Sequence, residues 1–225
     1  MSISTAPLTA PPKKKDLGCL GCGCLVLALV IVLFAGLVAG GCYLAYEKML
    51  NLTSTKPNTV LSFDGGDDLY NVAQQKVRAF GHDVEHHQAA TIRLSGDEIN
   101  TLIARNPTFL GQNVHFFVTL ANDRGRVQGS VPTDVISQGL PKGRYLNFDT
   151  TFGLGFNPDT KNLEVILHHL QLRDQTMPEN QLPAMDGLFT TLLNADLRSN
   201  PDGKILLDQA KWVEIRDGEL VFETQ

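Results

Sequence analysis

The sequence predicts an α+β protein: one N-terminal transmembrane helix, then a long curved antiparallel sheet packed on helices. Three patterns carry that prediction. No residue from Leu17 to Tyr46 is charged. Residues 145–156, YLNFDTTFGLGF, alternate apolar with polar or small side chains, the period of two that a half-buried strand requires. Between Leu182 and Leu197, apolar residues recur at helical spacing.

Residues 1–16 open small, polar and proline-rich. They bury too little apolar area to offset the entropy of ordering, so they read as a disordered cytoplasmic tail. Residues 17–48 read as a transmembrane anchor. Its densest part, Leu25 to Tyr46, has 22 residues. A helix of that length spans about 33 Å, close to the hydrocarbon thickness of a bilayer. Lys13, Lys14 and Lys15 precede it, so the positive-inside rule puts the N-terminus in the cytoplasm and the C-terminal domain outside it. The small stretch from Ala35 to Gly41 suits a cleavage site, but apolar residues run on to Tyr46, which argues for an uncleaved anchor. Ala39-Gly40-Gly41-Cys42 lacks the leucine of a lipoprotein box, and the residues after it are apolar.

All four cysteines, Cys19, Cys22, Cys24 and Cys42, fall in this segment. The first three have no fourth ligand beside them, so a tetrahedral zinc site is weakly indicated. At a membrane edge they are candidates for acylation, or they simply pack the interfacial end of the helix. The outer domain holds no cysteine, so its stability owes nothing to disulfides.

Residues 49–62 read as a tether and residues 63–225 as one extracytoplasmic α+β domain. The domain opens with a helix, in which Leu69, Val72, Ala73, Lys76, Val77 and Phe80 share a face and Gly81 is the expected stop. ATIRL (90–94) is a short strand. Ser95-Gly96-Asp97-Glu98 is a capping box that starts a second helix, expected to end at Asn106-Pro107. In residues 113–120, Val114, Phe116, Val118 and Leu120 lie on one side of a strand. Asn122 to Gly125 turn it back into a partner from Arg126 to Val131. Residues 145–156 and Leu163 to Leu172 then form a long hairpin, which Gly153 and Gly155 allow to bend. A helix led by Pro178 or Pro183 carries Leu182, Met185, Phe189, Leu192, Leu193 and Leu197, the natural filling for the concave side of the sheet. Asp217-Gly218 turns a closing hairpin.

Taken in order, LSGDEINTLIARNP (94–107), the step Gly143-Arg144-Tyr145-Leu146-Asn147, the proline-led helix after Met177 and the closing WVEIRDGELVF (212–222) resemble a group of uncharacterised, singly anchored envelope proteins of planctomycete- and verrucomicrobium-type bacteria. The first motif is also distantly similar to YpmS-like envelope proteins. Architecture alone is similar to tubular lipid-binding domains, where a bent sheet wraps a helix. The resemblance implies a fold and an address, and no activity.

Little here points to chemistry. The chain has 19 basic and 24 acidic residues, and its basic residues are scattered, so no nucleic-acid partner is expected. His82-Asp83-Val84-Glu85-His86-His87 places His82 and His86 four apart, a helical metal spacing, but without the zincin order, so it reads as a polar connector. His168-His169 lies within a strand, where the two rings are expected on opposite faces. Asp64-Gly65-Gly66-Asp67-Asp68 reads as a turn before a helix. No nucleophile elbow and no phosphate-cradling loop is present. No metal or cofactor is expected.

The resulting expectation is a membrane-anchored, non-enzymatic binding module for a lipid or an envelope protein. Its ligand groove would be lined by Phe148, Phe152, Phe156, Leu188 and Phe189. The plainer reading is that these five fill the core, since burying one phenylalanine stabilises by about 1.5–3 kcal/mol without any ligand. The alternatives are a structural envelope scaffold meeting its partner through a sheet edge or the anchor, and a metal-dependent enzyme using the histidines.

Overall fold

A computed structural model describes residues 50–61, 63, 65–136 and 141–225. The expected tail and anchor, with all four cysteines, lie outside the described residues. Among the described residues no helix is long and apolar enough to cross a membrane.

The described chain is α+β, with antiparallel sheets packed on helices. Strands β1 (Thr53–Ser54), β3 (His115–Ala121), β4 (Arg124–Pro132), β5 (Tyr145–Asn157), β6 (Asn162–Leu172) and β7 (Gln175–Thr176) make a six-stranded sheet. Its order is β3-β4-β5-β6-β7, with β1 paired to the start of β5. Strands β2 (Thr91–Ser95), β8 (Ala210–Arg216) and β9 (Glu219–Thr224) form a second sheet in the order β2-β9-β8. The expected antiparallel sheet on helices is present as two sheets, the closing hairpin lying in the smaller one, and the two share one apolar core.

The large sheet stops where it does because side chains occupy its edges. On the outer edge of β3, Asn100 from helix α2 (Gly96–Ala104) behaves as a strand would: its Nδ2 donates to Val118 O at 2.7 Å and its Oδ1 accepts from Val118 N at 2.7 Å. On the far edge, helix α5 (Leu182–Ser199) runs along β6. Asp186, Thr190 and Asn194 accept from the backbone N–H groups of Leu167, Val165 and Leu163 at 2.8, 3.0 and 2.9 Å. The periods match: four helical residues rise about 6.0 Å and two strand residues about 6.6 Å. Arg198, one step further, donates to the carbonyls of Thr160 and Lys161 in the hairpin loop. Another face of α5 buries Leu182, Phe189, Leu193 and Leu197. The polar stripe thus satisfies edge groups that would otherwise invite another strand.

Helix α1 (Gly66–Glu85) runs through Gly81 instead of stopping there. A glycine inside a helix costs about 1 kcal/mol relative to alanine. Burial of Val84, four residues after Phe80 on the same face, offsets that cost. The capping box forms as expected, with Ser95 Oγ accepting from Glu98 N and Glu98 Oε2 accepting from Ser95 N. The other Glu98 oxygen meets Lys76 Nζ of α1 at 2.6 Å. Short helices α3 (Pro107–Gln112), α4 (Thr133–Ile136) and α6 (Pro201–Gln209) complete the set. In α3 and α6 an asparagine caps the first turn ahead of a proline: Asn106 Oδ1 accepts from Thr108 N and Asn200 Oδ1 from Asp202 N. Asp217 and Gly218, both at positive φ, turn β8 into β9.

The long hairpin is not uniform. Its register shifts at Thr151/Phe152, where β6 carries His168 as an extra residue. Before the bulge Leu163, Val165 and Leu167 point into the core; after it Leu170 and Leu172 do. The bulge lets two incompatible alternations share one inner face.

Candidate functional site

The five expected groove residues are not brought together as a lining. Phe148, Phe152 and Phe189 are 3, 1 and 0% exposed, inside the core. Phe148 stands directly across from Gly129, and Phe152 from Gly125. Their rings cover these glycines so closely that a methyl at Gly125 would lie 2.6 Å from the Phe152 ring, and one at Gly129 would collide with that of Phe148. Phe156 packs on the margin of the core beneath Lys161, whose Nζ is 5.8 Å from the ring centroid. Leu188 is half-buried on the flank of α5 away from the β6 edge. The five are therefore three core residues and two marginal ones.

What the fold leaves open is the other face of the six-stranded sheet. Over most of β3 to β6 buried residues alternate with wetter ones; towards the β1 end the same face is closed, with Ser130 and Asn147 buried and Asn147 bonded to Lys56 O and Asn58 N. The wetter set includes Phe117, Arg126, Gln128, Asp149, Thr151 and Ile166. Arg126 grips Asp149 with two parallel bonds, Nε to Oδ1 at 2.8 Å and Nη2 to Oδ2. Gln128 Nε2 adds a third at 3.0 Å. The guanidinium above all, then Gln128, holds the Asp149 carboxyl below its ordinary range, against the opposing effect of burial. The pair is thereby rigid as well as charged. Ile166, 49% exposed, lies further along the same face on β6, across from Gly153 and four residues along the register from Asp149.

His168 and His169 border this face. The expectation that their rings point to opposite faces is corrected by the bulge: Leu167 and Leu170 both point inward, so neither histidine between them does. At the other cluster, His82 and His86 share a helical face, with ring centroids 4.2 Å apart. His86 Nδ1 donates to His82 O at 2.7 Å, and His87 Nδ1 accepts from Gln209 Nε2 at 2.7 Å. Among the described residues, no three His, Cys, Asp or Glu side chains gather as a metal site. In the acidic-glycine turn, Asp67 and Asp68 sit in the first turn of α1, and Asp67 pairs with Arg105 at 2.6 Å.

No protein-family model, curated protein or solved structure matches this chain. Sequence reasoning missed the open face because Arg126, Gln128 and Asp149 lie on two strands, and nothing local announces their pairing.

Proposed function

We propose that the chain is a membrane-anchored, extracytoplasmic, non-enzymatic binding module whose partner is an envelope protein seated on the open face of the six-stranded sheet. The observation that carries this reading is the contrast between the two faces. The inner face is filled: a lipid held there would need Phe148, Phe152 and Phe189 as lining, and each is 3% exposed or less. The outer face combines a locked arginine–carboxylate pair, an exposed isoleucine and a half-buried phenylalanine. Mixed polar and apolar groups of that kind, arginine among them, suit a protein surface better than an acyl chain. Pairing through the sheet edges is disfavoured where Asn100, Asp186, Thr190 and Asn194 occupy them.

The test is a photo-crosslinking amino acid placed at residue 128 in the full-length chain in its own membrane. The expected result is one discrete protein adduct, lost when Ile166→Glu is added and absent when the crosslinker replaces Val72 on α1. Adducts to lipid alone, or a protein adduct indifferent to Ile166→Glu, would overturn the reading.

A further inference from the structure

Residues 49–62 were expected to be a tether, and the described part is bound to the domain at several points. Residues 50–52 are helical, and Thr53–Ser54 then pair as β1 with Leu146 and Tyr145. Arg144 Nη2 donates to Leu50 O at 2.9 Å and to Thr53 O at 2.7 Å, while its Nε donates to Thr53 Oγ1 at 2.6 Å. Arg173 Nη1, from the β6–β7 turn, donates to Asn51 O at 3.3 Å and to Thr53 O at 3.4 Å. Asn147, buried, donates to Lys56 O at 3.0 Å and accepts from Asn58 N at 3.1 Å. Leu50 O and Asn51 O belong to the last turn of a helix, where carbonyls lack intrahelical partners and the dipole favours a cation. A planar guanidinium with several donors can hold more than one of them at once.

We infer that Arg144, Arg173 and Asn147 clamp the chain leaving the anchor, so that the domain is held in one pose with its Lys142–Arg144 segment and β6–β7 turn against the phospholipid headgroups. This rests on reading residues 17–48 as the anchor. Leu50 lies four residues past Tyr46, about 6 Å if helical, and the headgroup layer is roughly 5–7 Å thick on each side of the hydrocarbon. The two arginines touch Leu50 and Asn51 directly, so this end of the sheet sits at the headgroup layer. Lys56, Lys142, Arg144 and Arg173 there outnumber Asp134, which accepts from Gly143 N, and Asp174, which pairs with Arg173 at 3.4 Å. That excess suits anionic headgroups. Asp123, in the β3–β4 turn, is at the opposite end of β4, about 30 Å from Pro132 at 3.3 Å per residue.

The experiment uses the full-length chain, with its native cysteines replaced by alanine, in vesicles of phosphatidylcholine and phosphatidylglycerol doped with a headgroup-nitroxide lipid. A fluorophore is attached at Asp174→Cys or at Asp123→Cys, both highly exposed positions at 88 and 81% for the native side chains. The inference expects several-fold stronger quenching at 174 than at 123. It also expects that the double variant Arg144→Gln/Arg173→Gln makes the two sites alike while the protein still floats with the vesicles. Should that variant fail to fold, Arg173→Gln alone decides, and must narrow the ratio. Flotation with equal quenching at both sites in the unaltered clamp, or a ratio unmoved by these substitutions, overturns the clamp and leaves the anchor standing. Loss of flotation in the parent chain overturns the anchor, and the clamp's membrane role with it.

Discussion

Replacing Asn194 by leucine tests the idea that α5 serves as a substitute strand. The substitution keeps the heavy-atom count and the branching at Cγ and removes the whole carboxamide. Leu163 N loses its acceptor at 2.9 Å and Leu163 O its donor at 2.8 Å. Leu163 is 0% exposed, so water cannot replace either partner. Each buried backbone group left unsatisfied costs about 1–3 kcal/mol, so the expected loss is roughly 2–5 kcal/mol once local relaxation is allowed. At about 2–4 °C per kcal/mol for a chain of this size, the melting temperature should fall by roughly 5–15 °C. Thr190→Val removes one acceptor, that of Val165 N at 3.0 Å, and should cost about half as much. Urea unfolding of the full-length chain in mild detergent, read from the lone tryptophan, Trp212, gives the stability. Amide exchange at Leu163 gives the local effect. Stability within about 0.5 kcal/mol of the parent, with Leu163 equally protected, would refute the edge-capping argument.

Gly129→Ala should destabilise by about 1–3 kcal/mol in the same unfolding assay, because its methyl meets the Phe148 ring; adding Phe148→Leu should recover part of the loss. Deleting His168 should be far more damaging than His168→Ala, since restoring an unbroken alternation turns either Leu163, Val165 and Leu167 or Leu170 and Leu172 outward; comparative thermal melts of the two variants decide this. Asp149 has a folded-state pKa below its unfolded value, so its contribution is present above the ordinary carboxylate range and fades as pH falls through the depressed pKa. Because Arg126 is half exposed, Asp149→Asn should cost at most about 1 kcal/mol at pH 7, and the gap between the two proteins should close in strong acid, measured by urea unfolding at both pH values.

Much of the fold is legible locally. The capping box at Ser95, the strand alternation of 145–156, the apolar stripe of α5 and the Asp217-Gly218 turn each involve residues a few positions apart, and each forms as read. Asn106-Pro107 and Asn200-Pro201 carried start signals for α3 and α6; the first was read only as a helix end and the second passed unread. Gly81 misled because a glycine after an apolar face is a common stop, while the burial of Val84 that carries α1 past it depends on a distant core. The groove reading failed to gather its five residues for a related reason: Phe148 and Phe152 announce an apolar face, but not that Gly129 and Gly125 lie beneath their rings.

Most element types and inward faces follow from short-range spacing, where periodicity and capping are written, and no cysteine occurs after Cys42. Where the large sheet ends, which part of its outer face stays wet and how residues 50–58 are held emerge only once the chain is folded. Those outcomes depend on single polar side chains bonding to distant backbone: Asn100 to Val118, Asn194 to Leu163, Arg144 to Leu50. Such a residue has the same letter whether it faces water or caps a strand, and its partner leaves no periodic trace in the chain.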